Sequence, residues 1–274
     1  MTDAPISLAL VGAGKMGGAL LRCWVRAPGL LDAKTSAIVD PDPSPAIVAL
    51  AEQYGLRLNP PEETIAADVA VLAVKPQIID AAARALRLRP QADALYLSIA
   101  AGKSLASLAE ILPPGAAIIR AMPNLPAWVG KGVTALFANP AATDEQKAFA
   151  ERLMAAAGAA IWVEEEAQID MATAISGSGP AYVFYLAECL AGAGRSAGLS
   201  EAQAAEFARA TVIGAGAMLE ASDDPPAELR RAVTSPGGTT EAALKVLMEE
   251  PGGLASLMRE ATRAALARAR ELND

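Results

Sequence analysis

Residues 6–17 read Ile6-Ser7-Leu8-Ala9-Leu10-Val11-Gly12-Ala13-Gly14-Lys15-Met16-Gly17. A short apolar run falls directly into G-x-G-x-x-G, and a helical pattern continues to residue 26. Each glycine has its own reason. Gly12 makes the tight turn, Gly14 lets the backbone approach a pyrophosphate, and Gly17 lets the helix pack closely on the strand. The helix start then offers free N–H groups to the diphosphate. The glycine spacing alone is weak. Strand before, helix after and position near residue 10 together read as a dinucleotide cradle.

Working outward, short apolar runs alternate with helical patterns. Strands are expected at 6–11, 37–39, 69–74, 94–99, 117–121, 133–137 and 160–163. Helices are expected at 15–26, 45–53, 77–86, 105–111 and 144–157, with Gly158 where a helix C-cap would fall. Continuous apolar strands separated by helices imply a parallel sheet covered on both faces. From about residue 164 the strand pattern stops, and 166–197, 200–221, 225–233, 240–250 and 253–272 all read as helix. Ser200 with Glu201 and Gln203 resembles a capping box, Pro225-Pro226 suits a helix start, and Pro251-Gly252-Gly253 a break. The expected fold is α/β: an N-terminal Rossmann-type parallel-sheet domain, residues 1–164, and a C-terminal all-helical domain, residues 165–274. The alanine-rich stretches 179–197 and 200–221 are apolar on more than one face, so they must be buried, with a second subunit as one covering surface.

Composition removes several function classes. Net charge is −8 without basic clusters, which excludes a nucleic-acid or anionic-membrane binder. No stretch approaches ~18 uncharged apolar residues, so no membrane span is expected. The N-terminus lacks a basic n-region, which points to a cytoplasmic protein. Cys23 and Cys189 match no metal or redox spacing and read as buried small residues; no metal site is expected. Histidine is absent, which rules out imidazole bases and ligands. Acid–base work falls to Lys, Tyr, Glu, Asp, a hydroxyl or water.

Further candidates sit after the later strands. Asp40 ends the second strand, 23 residues after Gly17, with no Arg or Lys in the D-P-D-P-S-P that follows. There it would bond the adenosine ribose and repel a 2′-phosphate, which favours NAD(H); as a plain loop carboxylate it would cap a turn. Ala73-Val74-Lys75-Pro76 and Ser98-Ile99-Ala100-Ala101-Gly102 follow strands at carboxyl ends, where ligands bind in open α/β sheets. Lys75 either reaches a ribose or the nicotinamide end, or is solvated, and the alanines permit a flat ring to approach. Asn124, in Arg120-Ala121-Met122-Pro123-Asn124, could bond the carboxamide or the substrate; Arg120 is either a ligand group or an ion-pair partner. Residues 175–182, Ile-Ser-Gly-Ser-Gly-Pro-Ala-Tyr, form a glycine turn into a helix that Ser178 could cap. Residues 234–241, Thr-Ser-Pro-Gly-Gly-Thr-Thr-Glu, lie about 220 residues beyond the first glycine loop. Consecutive N–H groups at 237–239 would form a carboxylate-sized nest at a helix start, and Thr240 adds a hydroxyl that both donates and accepts.

Together G-A-G-K-M-G (12–17), A-V-K-P (73–76), S-I-A-A-G (98–102), R-A-M-P-N (120–124), S-G-S-G-P-A-Y (176–182) and S-P-G-G-T-T (235–240) resemble the pyrroline-5-carboxylate reductase family. The resemblance spans essentially the whole chain. It implies reduction of L-1-pyrroline-5-carboxylate to L-proline with NADP(H) or NAD(H). It also implies a helical domain that interleaves with its copy in a homodimer, and dimers that assemble further, commonly into decamers. Carried over, it places Gly12, Ala13, Gly14, Lys15, Met16, Gly17, Ala73, Val74, Lys75, Pro76, Ile99, Ala100 and Ala101 on the cofactor. Ser235, Gly237, Gly238, Thr239 and Thr240 surround the substrate, with the Thr240 hydroxyl at the ring nitrogen. Glu166 aligns with an acidic residue near the substrate. Three departures stand out: Leu125 where Thr is usual, Arg230-Arg231 in place of a common Lys-Asp pair, and Ala232 where some members carry a substrate-holding side chain.

The mechanism expected is hydride transfer to the imine carbon, with Thr240 or a water it holds serving the nitrogen. A β-hydroxyacid or imine dehydrogenase of the same plan is one rival. The hydroxyacid type wants a lysine early in the helical segment, and none lies between Lys147 and Lys245. A dinucleotide-binding sensor is the other, and the intact 235–240 loop argues against it.

Overall fold

The computed structural model describes residues 4–61, 65–85 and 94–272. Contacts divide the chain into two compact units, residues 1–177 with 266–274, and residues 178–265.

In the first unit, the described residues form one sheet. Its strands are β1 (Leu8–Val11), β2 (Ala37–Val39), β3 (Arg57–Leu58), β4 (Val69–Leu72), β5 (Leu95–Ser98), β6 (Ala117–Met122), β7 (Gly132–Ala138) and β8 (Gly158–Trp162). Their order is β3-β2-β1-β4-β5-β6-β7-β8. The chain turns outward in opposite directions from β1 and β4, so the crevice at their carboxyl ends is the switch point where open α/β sheets bind ligands. β1, β4 and β5 are buried along their whole length, as continuous apolar runs predict.

Both faces are covered. Helices α1 (Lys15–Arg26), α2 (Pro45–Tyr54) and α5 (Asp144–Ala155) close one face around Leu20, Leu21, Trp24, Leu50 and Leu153. Helices α3 (Ile79–Ala85) and α4 (Leu105–Ile111) close the other through Ile79, Leu108 and neighbours. Each such large side chain contributes about 1.5–3 kcal/mol by leaving water. The buried Trp24 indole satisfies its one donor on the Leu153 carbonyl at 2.7 Å.

The structure departs from a purely parallel sheet at β6–β7, which pair antiparallel with Arg120 opposite Phe137. Residues 123–131 between them hold only a 3-10 turn, Leu125–Val129, and a parallel return needs a crossover of about a dozen residues or more. β3 was not expected; two residues are too few for periodicity to register. Gly158 opens β8 beside Gly132 with φ +141° instead of capping the helix before it. The helix expected at 77–86 starts as a 3-10 turn, Pro76–Ile78, and its expected end at residue 86 lies outside the described residues.

The expected helix 166–197 is broken into α6 (Ala167–Ala172), a π turn (Thr173–Gly177) and α7 (Gly179–Ser196). Thr173 Oγ1 and Ser176 Oγ both donate back to carbonyls four residues earlier, at 2.8 Å each, a habit that bends helices. Ser178 therefore enters α7 with helical dihedrals and caps nothing.

The second unit is helical, with α7, α8 (Glu201–Ala221), α9 (Pro226–Ala232), α10 (Thr239–Leu247) and most of α11 (Leu254–Glu271). Ser200 and Gln203 form the expected capping box, and α9 starts on Pro225-Pro226. The expected burial of α7 and α8 is not met within one chain: Phe184, Tyr185, Phe207 and Ile213 are each about three-fifths exposed. Cys189 is exposed on α7 for the same reason. Cys23 is half-buried, donates its thiol to the Ala127 carbonyl, and burial pushes its pKa up.

Candidate active site

The three glycines of the first loop divide their work as their spacing implies. Gly12 has φ +86°, and a methyl there would stand 2.8 Å from Ala73 O and Val74 Cγ1. A methyl on Gly17 would overlap the Gly12 carbonyl oxygen and press on Ala73. A methyl on Gly14 would meet nothing within 4 Å. Two glycines are thus needed for packing, while the third leaves open ground before the free N–H groups of Lys15 and Met16 in the first turn of α1. That open, donor-lined backbone fits a diphosphate.

Asp40 is built into the same loop. Its Oδ2 accepts from the Ala13 N–H at 2.7 Å and its Oδ1 from the Asp42 N–H at 3.0 Å. Asn59 pins the Asp40 backbone in both directions, Oδ1 accepting from its N–H at 2.9 Å and Nδ2 donating to its carbonyl at 2.8 Å. Sequence reasoning missed Asn59. It has φ +46°, a region asparagine tolerates, and the Asn-Pro-Pro string was the available signal. Asp40 both braces the turn and, with two lone pairs on each oxygen, keeps acceptor sites for ribose hydroxyls.

Ala73, Val74, Lys75 and Pro76 follow β4, held by Ala73 N–H to Val11 O at 2.8 Å, with Lys75 exposed at the tip. Ile99, Ala100 and Ala101 follow β5, held by Ile99 N–H to Leu72 O at 3.0 Å. The loop 12–17, Asp40 and these two tips therefore gather at the carboxyl ends of the adjacent strands β2, β1, β4 and β5.

Arg120, left open between ligand and ion-pair roles, pairs with Glu166: Nη1 to Oε1 is 2.7 Å, and the arginine side chain is only 6% exposed. The same Oε1 accepts from the Leu105 N–H at 2.7 Å. Asn124 is buried and spends its amide inside the protein. Its Nδ2 donates to Ser176 O at 2.9 Å and its Oδ1 accepts from the Val133 N–H at 2.9 Å.

In the second unit, Ser235, Gly237, Gly238, Thr239 and Thr240 come together where α10 opens. The N–H groups differ from the expected nest. Gly237 donates to Glu241 Oε2 at 2.6 Å, and Gly238 to Ser235 O at 3.0 Å. A methyl on Gly238 would overlap Ser235 Oγ. The N–H groups of Thr239 and Thr240, first and second in α10, have no intrahelical partner and point the helix dipole's positive end outward. Glu241 was missed as a site residue; an acid at the third helical position is the signal that marks it.

A largely parallel sheet with a glycine cradle at its switch point, followed by a helical unit in which α10 opens on free N–H groups, defines a two-domain nicotinamide-dinucleotide oxidoreductase. The family model described as pyrroline-5-carboxylate reductase dimerisation matches residues 166–272, and one described as NADP oxidoreductase, coenzyme F420-dependent, matches residues 7–102. A pyrroline-5-carboxylate reductase of Pseudomonas aeruginosa is 40% identical over 268 residues, covering 97% of this chain and 96% of that one. The structure of a pyrroline-5-carboxylate reductase from Coxiella burnetii superposes with TM-score 0.90 at 36% identity, covering 98% of this chain and 99% of that one. A Plasmodium falciparum pyrroline carboxylate reductase, determined with NADP bound, superposes with TM-score 0.80 at 27% identity over 98% of each chain. This chain belongs to the pyrroline-5-carboxylate reductase family. Among its described residues, no helix is long and apolar enough to cross a membrane.

Proposed function

We propose that this chain reduces L-1-pyrroline-5-carboxylate to L-proline with NADPH or NADH, the last step of proline biosynthesis. The observation that carries this reading is the 235–240 loop, which opens α10 on free N–H groups in a chain that also holds the 12–17 cradle. When bound, the dinucleotide would supply a hydride for the imine carbon of the pyrroline ring.

The chain's residues orient the partners. Gly12, Ala13, Gly14, Lys15, Met16 and Gly17 hold the diphosphate, and Asp40 the adenosine ribose. Ala73, Val74, Lys75, Pro76, Ile99, Ala100 and Ala101 line the nicotinamide side, with Asn124 acting through the segment its amide ties down. Ser235, Gly237, Gly238, Thr239 and Thr240 surround the substrate, whose carboxylate meets the free N–H groups of Thr239 and Thr240 at the start of α10, and Glu166 is assigned to the substrate as well. The Thr240 hydroxyl, or a water it holds, bonds the ring nitrogen, and any proton it passes there is replaced from water. A protonated imine is already a good hydride acceptor, so a chain without histidine suffices. Orientation then contributes most of the acceleration. Residues 1–164 serve the cofactor and 165–274 the substrate and the homodimer, with dimers assembling into a decamer in the cytoplasm. The exposed apolar faces of α7 and α8 support a partner there.

The test follows nicotinamide absorbance during NADPH and NADH oxidation, with and without 1-pyrroline-5-carboxylate. Substrate-dependent oxidation is expected. Protein that binds a dinucleotide yet oxidises neither would overturn the reading.

A further inference from the structure

The loop that receives the substrate carries a carboxylate of its own. Glu241 is the third residue of α10 and reaches back along the chain, as an acid at that position does in a capping box. It passes the N-cap, Gly238, and takes the N–H of Gly237 at 2.6 Å. Gly237 sits at φ +71°, a left-handed turn with no side chain to hold it. A short hydrogen bond to a charged acceptor is about twice as strong as a neutral one, so this contact fixes the turn. The carboxylate's other oxygen lies 3.9 Å from Lys245 Nζ, in a cavity of about 440 Å³ lined also by Arg230, Arg231, Thr234 and Met248. The side chain therefore spans from the turn to the next helical turn of α10.

The consequence is a choice among donors. With Gly237 engaged by Glu241 and Gly238 by Ser235 O, the helix start presents the N–H groups of Thr239 and of Thr240, the residue whose hydroxyl serves the ring nitrogen. We propose that Glu241 is a positioning residue that closes Gly237 with its own carboxylate and so directs the substrate's carboxylate to Thr239 and Thr240. This inference rests on reading residues 235–240 as the substrate loop. Without Glu241 the turn is ordered only on binding, and that ordering weakens affinity.

The experiment compares Glu241→Ala with Glu241→Gln, which keeps an acceptor oxygen. In the alanine variant KM for 1-pyrroline-5-carboxylate is expected to rise about tenfold, with kcat and the KM for NADPH within about threefold, the signature of lost binding. The glutamine variant is expected to stay within about threefold of wild type in all three. Amide hydrogen exchange provides a readout that needs no turnover: Gly237 should lose protection in the alanine variant and keep it in the glutamine variant. An unchanged or lowered KM in Glu241→Ala, equal effects of the two substitutions, or unaltered Gly237 exchange would each overturn the proposal. A wild-type enzyme without substrate-dependent oxidation would sink the functional reading instead, which the exchange arm distinguishes.

Discussion

The Glu166 carboxylate oxygen that meets the Arg120 guanidinium at 2.7 Å is the same oxygen that accepts the Leu105 N–H at 2.7 Å. One atom thereby ties the end of β6 and the start of α4 to the residue preceding α6. Removing Glu166 strands a buried cation and a helix-start donor together. Glu166→Ala is expected to cost about 2–4 kcal/mol and to lower the thermal midpoint by roughly 5–10 °C. Glu166→Gln, which keeps an acceptor for Leu105, should lose clearly less. Equal midpoints for wild type and the alanine variant in thermal denaturation would show that the pair holds nothing.

The first loop permits a contrast between two glycines. Gly14→Ala meets nothing within 4 Å, so the variant should fold with a wild-type midpoint while its affinity for NADPH falls about tenfold or more. Gly17→Ala collides with the Gly12 carbonyl and should lower the midpoint as well. Thermal melts beside fluorescence titration with NADPH separate the effects. Wild-type affinity in Gly14→Ala would place the diphosphate elsewhere.

Asp40 braces Ala13, and its proposed second role is to meet the adenosine ribose. Asp40→Asn keeps one acceptor for the Ala13 N–H and removes the charge that repels a 2′-phosphate. The ratio of kcat/KM for NADPH over NADH is expected to rise about three- to tenfold, with both cofactors bound somewhat more weakly. An unmoved ratio in paired kinetics would leave Asp40 as a brace alone.

Thr240 is half-exposed at the second position of α10, where its side chain holds no part of the helix together. Thr240→Ala should therefore leave the midpoint unchanged while kcat falls roughly 10- to 100-fold, and Thr240→Ser should recover most of it. Turnover at the wild-type rate in the alanine variant would remove the hydroxyl from the mechanism.

Local patterns were legible wherever a residue's job depends on its immediate neighbours. The 6–17 string fixes a strand, a turn and a helix because Gly12 takes a left-handed turn and Gly17 lies against the Gly12 carbonyl, both local relations. The alternation of apolar runs with helical stretches set the fold class, and Ser200 with Gln203 announced a helix start that the structure keeps. The 235–240 string likewise marked a helix opening. None of these needed knowledge of distant contacts.

Tertiary structure alone decided how polar groups far apart in sequence share one another. Asn124 could be read as a ligand contact from its loop, yet Ser176 and Val133 absorb its amide, 52 and 9 residues away. Arg120 stood undecided until Glu166 met it across 46 residues. The antiparallel β6–β7 pair depends on a connection too short for a crossover, and the π turn before α7 on hydroxyls bonding back along the helix. Even the 237–239 nest was redrawn by a side chain four residues on. Sequence determines which groups exist and the local geometry they favour. Burial requires each polar atom to find a partner, and which partner it finds is set by the folded chain.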